Sequence, residues 1–401
     1  MIPVDDVLES LDLSRAEPGS GFLEALFARF NAKVPFENAS KILRDAEIAD
    51  PDEKPRTPDV FWGDHLERGT GGTCFARVAA FDALLTELGF RTRRHLGRVR
   101  NDQDHATLFV ETPAGEVIAD VGFPLPALLP ARAGHVETAL AGLRLTATAR
   151  GWHVAFEGGV PEGPREIEIF GAPVSPEEYR ERWRGTFRPP ALFLQEVAIR
   201  ADRGNRAVSF ARGEVRVDDL HSRLRVPLPA PREAALAELF GIDRDVLARA
   251  FAAAGNPGPS SSNAALTAYL EADASPEAAF AAIASPEGYR RLVGGVADVV
   301  AEERTAAGYR LRLSAGGGDP GATLEEEVTP DPDSNTLSVL RRGGSSESRS
   351  SWRAEERAGK TWLLREAALS GAREDLLRND SLRGRLAGSL AVDLLAWARM
   401  L

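Results

Sequence analysis

The chain has 401 residues, 43% of them hydrophobic and 27% charged, with a formal net charge of −11. This length predicts two or more domains with real cores, and the acidic balance argues against a general nucleic-acid surface. Its single cysteine excludes an intramolecular disulfide and a zinc site built from cysteine pairs. The acidic start lacks a secretory signal, and no stretch reaches the ~18 apolar residues of a membrane span. We therefore expect a cytoplasmic protein without membrane or nucleic-acid partners.

The only cysteine lies where a helix is predicted to begin. Cys74 follows two glycines and Thr73, and apolar residues at helical spacing come after it, ending at Gly89. These apolar residues are Val78, Phe81, Leu85 and Leu88. With Thr73 as N-cap, Cys74 lies in the first turn, where free N–H groups and the helix dipole stabilise a thiolate. The glycines would let a substrate carbonyl approach backbone donors closely.

Two strand-like segments, 104–111 and 116–121, follow the helix and are joined by a short turn. If Glu111 pairs with Glu116, His105 and Asp120 share one face as diagonal neighbours, roughly 7–8 Å apart at the backbone. A register slip of one residue would turn one of them to the other face. We predict that Cys74 is a nucleophile, that His105 is its base and that Asp120 orients the imidazole. Taken singly, a lone cysteine is more often an inert buried thiol than a nucleophile, and a histidine on a strand is more often structural.

A basic run at 91–100 interrupts the acidic chain just after the predicted helix. Its arginines suit a patch that binds phosphates, since guanidinium groups match phosphate geometry. The alternative is the solvated face of a strand whose other face is buried, which alternation alone would produce. We favour the second interpretation.

The remainder of the first half reads as short strands followed by a helical pattern at 232–253. The predicted strands lie at 143–156, 166–170, 192–199 and 208–217. Residues 254–263 are mainly proline, glycine, serine and asparagine, which predicts an interdomain linker. We therefore expect domains at 1–253 and 264–401, joined by a linker at 254–263.

After the linker, the pattern is a strand at 266–272, two short helices, several strands and a long C-terminal helix. In that helix Leu382, Leu386, Leu390 and Leu394 form one apolar stripe. All six histidines and the cysteine precede the linker. The second domain therefore has no thiol or imidazole for chemistry, and a cavity that takes an apolar ligand by shape is its expected feature. The alternative is that the stripe seals a filled core, and Trp352, Trp362 and Trp397 suit either interpretation.

Four separated segments stand out in the first part of the chain. They are Val34-Pro35-Phe36-Glu37-Asn38, Arg68 with Gly-Gly-Thr-Cys-Phe at 71–75, His105 before an apolar strand, and Asp120-Val121-Gly122-Phe123. Together they resemble the arylamine N-acetyltransferase family, over about residues 1–252. In the second half, Ser275-Pro276-Glu277 and Ser285-Pro286-Glu287 look like the helix starts of START-like, polyketide cyclase-type helix-grip domains, which this half resembles.

These resemblances imply an α+β multidomain chain. Its first part would have a cysteine protease-like acyltransferase fold made of a helical bundle, a β-barrel and an α/β lid, and a helix-grip α+β domain would follow. The implied reaction is ping-pong transfer of an acetyl or other acyl group from acyl-CoA, through acyl-Cys74, to a small-molecule amine. Acyl-CoA would be a co-substrate, with no permanently bound cofactor and no metal. Phe36 and Phe123 would line the acyl or acceptor pocket, although a core position explains either equally well.

The chain departs from the family pattern around the cysteine. Thr70 follows Arg68-Gly69, Thr73 replaces an aromatic residue, and Pro124 follows Phe123 where a glycine is usual. These changes leave the three predicted catalytic residues intact and alter their surroundings. An amide synthase acting on a polyketide-like acyl chain is therefore an alternative. A transglutaminase-like or protease-like hydrolase, or a non-catalytic ligand-binding protein on a degenerate scaffold, are further ones.

Overall fold

The computed structural model divides the chain into two compact units. The first contains Met1–Leu220 with Leu228–Ser260, and the second contains His221–Pro227 with Ser261–Leu401. The short segment at 221–227 thus groups with the second unit, although the predicted boundary left it with the first. Part of the predicted linker falls outside the described residues. The structure describes residues 2–100, 104–157, 166–188, 193–255, 257–259, 263–293, 297–315, 323–343, 346–357, 359–369, 376–377 and 379–401.

The first unit contains helices along most of its length. They are α1 (Val4–Ser10), α2 (Ser20–Lys33), α3 (Ala39–Glu47), α4 (Pro58–Arg68), α5 (Cys74–Glu87), α6 (Pro176–Gly185), α7 (Glu233–Phe240) and α8 (Arg244–Ala254). Helix α5 carries the predicted nucleophile, and its apolar residues Val78, Phe81 and Leu85 are completely buried. Such an apolar surface must pack against neighbouring elements, so α5 is held within the core. Among the described residues, no helix is both long and apolar enough to cross a membrane.

The part of the first unit for which the resemblance implied a β-barrel contains an eight-stranded antiparallel sheet. Its order is β5-β4-β3-β2-β9-β8-β7-β6. The strands are β2 (Thr92–Arg98), β3 (His105–Thr112), β4 (Gly115–Ala119), β5 (Leu129–Pro130), β6 (Gly134–Glu137), β7 (Gly142–Thr148), β8 (Gly151–Glu157) and β9 (Glu166–Pro173). A second group pairs in the order β1 (Phe36–Glu37), β10 (Ile199–Asp202), β11 (Ala207–Ala211) and β12 (Glu214–Asp218).

The ladder between β3 and β4 confirms the predicted register of the hairpin. Glu111 pairs with Glu116, and Leu108 pairs with Ala119. Side chains alternate between the two faces along a strand. The register therefore turns His105 and Asp120 to the same side of the sheet.

Several other predicted elements divide at turns. Residues 143–156 form the hairpin β7–β8, and 208–217 form the hairpin β11–β12. The helical pattern at 232–253 is two helices, because Gly241 takes a left-handed conformation with φ of 74° and ends α7. The strand predicted at 192–199 was wrong for the residues described there, since β10 begins only at Ile199; residue 192 lies outside the described residues.

The second unit is an antiparallel sheet with helices. Its sheet order is β13-β14-β20-β19-β18-β17-β16-β15. Its elements are β13 (Ser222–Pro227), β14 (Ala264–Ala272), α9 (Pro276–Ala284), α10 (Pro286–Val293), β15 (Ala297–Arg304), β16 (Tyr309–Ala315), β17 (Thr323–Asp331), β18 (Thr336–Gly343), β19 (Ser346–Arg357), β20 (Lys360–Leu369) and α11 (Asp380–Ala398). The predicted helix starts are confirmed, since the Ser275 and Ser285 hydroxyls accept hydrogen bonds from backbone N–H groups three residues later.

Helix α11 packs against β14 and β20 and buries part of its predicted leucine stripe. Leu390 and Leu394 are buried, and the Trp397 Nε1 donates to the Ala279 carbonyl at 2.9 Å. The Trp352 and Trp397 rings meet edge to face, 5.9 Å apart. Both tryptophans therefore belong to the packing between sheet and helix.

Charged groups also lie inside the second unit, which the sequence pattern did not predict. Glu326 is completely buried and accepts hydrogen bonds from the Tyr289 hydroxyl at 3.0 Å and from Arg341 Nε at 2.7 Å. Arg365 pairs at 3.3 Å with Asp393 on α11. The interior of the second unit is therefore partly polar. Its buried charges are tolerated because each one has a hydrogen-bonding or ionic partner.

Candidate active site

Cys74 is the first residue of α5, as predicted. Thr73 occupies the N-cap position with an extended backbone (φ −82°, ψ 178°), but its hydroxyl makes no capping hydrogen bond. Cys74 is 9% exposed, and its Sγ lies 3.8 Å from the Asp104 carbonyl oxygen. The thiol thus stands at the positive end of a 14-residue helix, where a negative charge is stabilised.

His105 and Asp120 form a buried hydrogen-bonded pair. His105 Nε2 lies 2.7 Å from Asp120 Oδ2. The other carboxylate oxygen, Oδ1, accepts from the N–H groups of Gly122 at 3.0 Å and Phe123 at 2.8 Å. With both oxygens engaged, the carboxylate is fixed in place and in turn fixes the orientation of the imidazole.

Gly122 lies between the cysteine and the histidine. A Cβ atom at this position would come within 3.0 Å of Cys74 Cβ, 3.1 Å of His105 Cε1 and 2.3 Å of the Ala106 carbonyl oxygen. Only glycine therefore fits there without displacing backbone. Gly122 thus adjoins both Cys74 and His105.

The electrostatics of the site favour a charged imidazole. Burial alone would lower the pKa of His105. The Asp120 charge and hydrogen bond, together with the hydrogen bond and charge of Cys74, outweigh burial and raise this pKa to about 10. Because Nε2 faces Asp120, Nδ1 is the ring nitrogen left to face Cys74. The thiol therefore lies beside a positively charged imidazole and at the N-terminal end of α5.

Glu37 anchors the glycine turn that leads into Cys74. This carboxylate is completely buried, and its Oε1 accepts from the Gly71 N–H at 3.2 Å and from the Ser40 hydroxyl at 2.6 Å. Its Oε2 accepts from the Ser40 N–H at 2.9 Å. Glu37 thus holds in place the backbone three residues before the thiol.

Asn38, the next residue, anchors a second loop. Its Nδ2 donates to the carbonyls of Phe193 at 3.0 Å and Glu196 at 2.7 Å, and its Oδ1 accepts from the Ala198 N–H at 2.7 Å. The amide satisfies three backbone groups of a segment about 155 residues away in sequence. The Glu37-Asn38 pair therefore organises two separate loops through hydrogen bonds.

The two predicted pocket phenylalanines are both half-buried. The Phe123 ring meets the His105 ring edge to face at 6.4 Å and also contacts Phe156 at 5.7 Å. Phe36 pairs through its backbone with Gly72, and its ring contacts Phe193 at 5.5 Å. Each phenylalanine thus lies on a segment that adjoins Cys74 or His105, and their role in substrate binding stays a prediction.

Arg77 is a residue of the site region that the sequence reasoning missed. It is completely buried and donates to the Val121 carbonyl at 2.7 Å, to Asn31 Oδ1 at 2.8 Å and to the Val34 carbonyl. Burial lowers its pKa to about 9, so the guanidinium stays charged at neutral pH. The available signal was a single charged residue within residues 74–81, the otherwise apolar first half of α5.

A different arginine from the one in the motif lies at the glycine turn. Arg68 is exposed at the end of α4, where Gly69 turns the chain with φ of 65°. Arg56 is 4% exposed, donates to the Gly71 carbonyl, and pairs with Asp64 at 3.2 Å. In the sequence, Gly69 and Thr70 separate Arg68 from Gly71 and Gly72. The guanidinium that contacts this turn belongs to Arg56.

The basic run is matched by acidic side chains. Along β2 and its start, the pairs are Arg91 with Glu111, Arg93 with Glu116, Arg94 with Asp82, and Arg98 with Glu168. His95 points inward and is 2% exposed. This pairing supports the solvated strand face over a phosphate-binding patch.

Residues 21–151 match the family model described as N-acetyltransferase. The arylamine N-acetyltransferase of Escherichia coli (strain K12) is 35% identical over 108 residues, or 25% of this chain and 36% of the relative. That of Mycolicibacterium smegmatis is 32% identical over 120 residues, or 27% of this chain and 42% of the relative. The chain therefore matches less than half the length of each of these curated relatives.

Solved structures of arylamine N-acetyltransferases share the fold of the first unit. The M. smegmatis structure superposes with a TM-score of 0.54 at 22% identity, covering 64% of this chain and 100% of that one. The Mycobacterium marinum structure in complex with CoA gives 0.53 at 20% identity, covering 62% and 99%. The predicted fold is thus confirmed for the N-terminal part of the chain, and the helix-grip fold of the second unit stays a prediction.

Proposed function

We propose that this chain is an acyl-CoA-dependent N-acyltransferase that works by a ping-pong mechanism through acyl-Cys74. The observation that supports this most is the buried His105–Asp120 pair beside a helix that begins with Cys74. The shared fold and the match to the N-acetyltransferase family model point the same way. An inert scaffold has no need to keep these three side chains together.

In the first half-reaction, the Cys74 thiolate attacks the thioester carbonyl carbon of acyl-CoA. The carbon–sulfur bond to CoA breaks, and the departing CoA thiolate takes a proton from the His105 imidazolium. Cys74 is left as an acyl thioester and His105 as a neutral imidazole. Asp120 stabilises the imidazolium before the step and keeps Nδ1 directed at the sulfur.

In the second half-reaction, a small-molecule amine attacks the acyl-Cys74 carbonyl. The amine proton passes to His105 Nδ1, the carbon–sulfur bond to Cys74 breaks, and the amide leaves. This restores the thiolate–imidazolium pair, so no cofactor or metal is consumed. Phe36 and Phe123 would line the pocket for the acyl group or the acceptor, since the Phe123 ring meets His105 and the Phe36 backbone pairs with Gly72, two residues before Cys74.

Intact mass spectrometry tests this proposal. After incubation with a panel of acyl-CoA thioesters, the full chain should gain the mass of one acyl group and lose it when an arylamine is added. Cys74→Ser should gain almost none, because a neutral hydroxyl is a far weaker nucleophile than a thiolate. If no donor acylates the folded wild-type chain, the enzyme proposal is wrong and the non-catalytic scaffold stands in its place.

An amide synthase that attaches or closes a polyketide-like acyl chain is the second candidate. It uses the same three residues, and the observation in its favour is Thr73 at the N-cap of α5, where the family usually has an aromatic residue. The smaller side chain changes the space beside the thiol. In the same mass experiment, faster acylation by long-chain thioesters than by acetyl-CoA would favour this candidate.

For the second unit we propose a START-like helix-grip domain that takes up an apolar ligand. Its first strand after the linker, β14, lies beside its last strand, β20, and the C-terminal helix packs on both. A saturable rise in the emission of an apolar fluorescent probe with the full chain, competed by long-chain fatty acids and unchanged in Cys74→Ser, is the expected result. No rise would favour the alternative that the leucine stripe only seals a filled core.

A further inference from the structure

Tyr179, on α6, bonds to the first turn of α5. This tyrosine is 2% exposed, and its hydroxyl donates to the Phe75 carbonyl at 2.6 Å. The two rings also meet edge to face, 5.3 Å apart. Phe75 directly follows Cys74 in the sequence. Both contacts therefore act on the helical turn that carries the thiol.

The Tyr179 hydroxyl is a lasting hydrogen-bond donor. Burial raises the pKa of Tyr179 well above its ordinary value, and the opposing charge of Arg94 does not cancel this rise. The phenol therefore stays protonated at neutral pH. A carbonyl oxygen has two lone pairs, so the Phe75 carbonyl can accept from this hydroxyl and still accept a hydrogen bond within the helix. Tyr179 thus adds a contact to the turn without replacing one.

A second contact holds the ring of Tyr179. The Arg94 guanidinium, on β2, lies 4.9 Å from the ring centre, and Arg94 Nε pairs with Asp82 at 2.5 Å. Asp82 lies on α5, about two turns beyond Phe75. Tyr179, Arg94, Asp82 and Phe75 thus form a chain of contacts that begins and ends on α5, here called the α5 clamp.

The start of α6 is itself fixed beside β2. The Val174 N–H donates to the Arg94 carbonyl at 2.9 Å, and the Ser175 hydroxyl caps α6 by accepting from the Glu178 N–H at 3.2 Å. Tyr179 follows about one turn into the helix. Its side chain is therefore presented to α5 from a backbone that is tied to the sheet.

We propose that Tyr179 is a positioning residue for acyl transfer to Cys74, and that it acts through the Phe75 carbonyl. This inference rests on the proposed function and adds a residue to it. The thiol and the imidazole of His105 come from different elements, α5 and β3, so the reaction needs the first turn of α5 held in one place. Glu37 holds the backbone before the thiol, and Tyr179 holds it after. A displacement of about 1 Å between reacting groups can cost about 10²-fold in rate.

Tyr179→Phe tests this role, because it removes the hydroxyl and keeps the ring. Acylation of Cys74 at saturating acyl-CoA should slow about tenfold, the scale of one lost hydrogen bond. The KM for the donor should change by less than about twofold, because the proposed pocket residues Phe36 and Phe123 are not altered. Stopped-flow kinetics measure both values, at a temperature where melting curves show that every protein compared is folded.

The two half-reactions distinguish positioning from a change in the pocket. The same thiol and imidazole act in both, so transfer from acyl-Cys74 to the amine should slow by about the same factor as acylation. The rate ratio between acetyl-CoA and acetyl-N-acetylcysteamine should stay unchanged. A higher KM with an unchanged kcat, or slowing of one half-reaction alone, would show that Tyr179 shapes a substrate site, and the positioning role would be wrong.

Tyr309→Phe is the matched control. Tyr309 belongs to the second unit, is 3% exposed, and its hydroxyl also donates to a backbone carbonyl, that of Ser285 at 3.4 Å. This variant should keep the wild-type rates. Arg94→Gln, which leaves the Tyr179 hydroxyl in place but removes the stacking on its ring, should slow both half-reactions about threefold. If Tyr179→Phe does not fold, Arg94→Gln decides the question by the same measurements.

The wild-type chain separates failure of this inference from failure of the proposed function. If the wild type is acylated and folded Tyr179→Phe matches it in both half-reactions, the positioning role is wrong and the proposed acyl transfer stands. If no donor acylates the folded wild type, the proposed function is wrong, and the positioning role is overturned with it.

Discussion

Asp120→Asn is expected to slow acylation of Cys74 by about 10³- to 10⁴-fold, the scale seen when the orienting carboxylate of a comparable triad becomes an amide. In the wild-type chain the carboxylate accepts from His105 Nε2 at 2.7 Å and from two backbone N–H groups. An asparagine can keep the backbone bonds, but its amide N–H then faces Nε2. The histidine proton moves to Nδ1, and the base directed at Cys74 is lost.

The same substitution should change how Cys74 alkylation depends on pH. In the wild-type chain the pKa of His105 is about 10, so the imidazolium persists through neutral pH and is lost only as pH rises through that value. If this imidazolium keeps Cys74 a thiolate, as the proposed mechanism requires, alkylation by iodoacetamide should vary little between about pH 6 and pH 9. Without the Asp120 charge, burial keeps the imidazole neutral, and the rate should rise about tenfold per pH unit below the usual thiol range of about 8.5.

Stopped-flow acylation and alkylation rates on the same samples check both expectations. Asp59→Asn, at an exposed position in the first turn of α4, is the matched control and should leave both rates unchanged. An Asp120→Asn protein that is folded and acylated at more than about one tenth of the wild-type rate would refute the orienting role of this carboxylate.

Arg77→Met is expected to destabilise the first unit by about 3–5 kcal/mol, the range for removing one member of a buried charged network. Methionine replaces much of the side-chain volume, but it leaves three buried acceptors without a donor: the carbonyls of Val34 and Val121 and the Asn31 side chain. Each unsatisfied buried acceptor costs about 1–3 kcal/mol, and partial relaxation limits the sum. The stacking of the guanidinium over Phe30, at 4.7 Å, is also lost.

Urea unfolding of the full chain, followed by fluorescence and circular dichroism, measures this change, with separate transitions fitted if the two units unfold independently. Arg29→Met is the matched control, because Arg29 is exposed on α2 and pairs only at the surface with Asp12. It should change stability by less than about 0.5 kcal/mol. A loss below about 1 kcal/mol in Arg77→Met would show that the buried network contributes little.

Under conditions where the variant is still folded, Arg77→Met should also slow acylation of Cys74. Arg77 holds the carbonyl of Val121, the residue directly after Asp120. The substitution should lower kcat more than it raises KM, because Arg77 acts on the backbone beside Asp120 and not on the proposed pocket residues Phe36 and Phe123. Equal acylation rates for variant and wild type, at temperatures where both are folded, would assign Arg77 to stability alone.

The local pattern was sufficient to predict the relative positions of His105 and Asp120. Strand residues alternate between faces, so the assumed pairing of Glu111 with Glu116 placed His105 and Asp120 on one face, and the structure has that pairing. In the same way, helical spacing after a glycine turn was enough to place Cys74 at the start of α5. The turns within 143–156 and the break at Gly241 were missed, because a continuous apolar pattern does not show where a short turn interrupts it.

By itself, then, the sequence determined those features that depend on neighbours within one helix or one hairpin: where the thiol lies on its helix, and which strand residues share a face. Only the tertiary structure decided which charges surround the thiol. Arg77 donates to the carbonyls of Val34 and Val121, and Arg56 donates to the Gly71 carbonyl in the glycine turn, where the motif suggested Arg68. These contacts join segments far apart in the chain, and no periodicity in the sequence records them. Burial then determines how strongly these cations act on nearby charges. A cation that water would screen interacts more strongly in a site from which water is excluded.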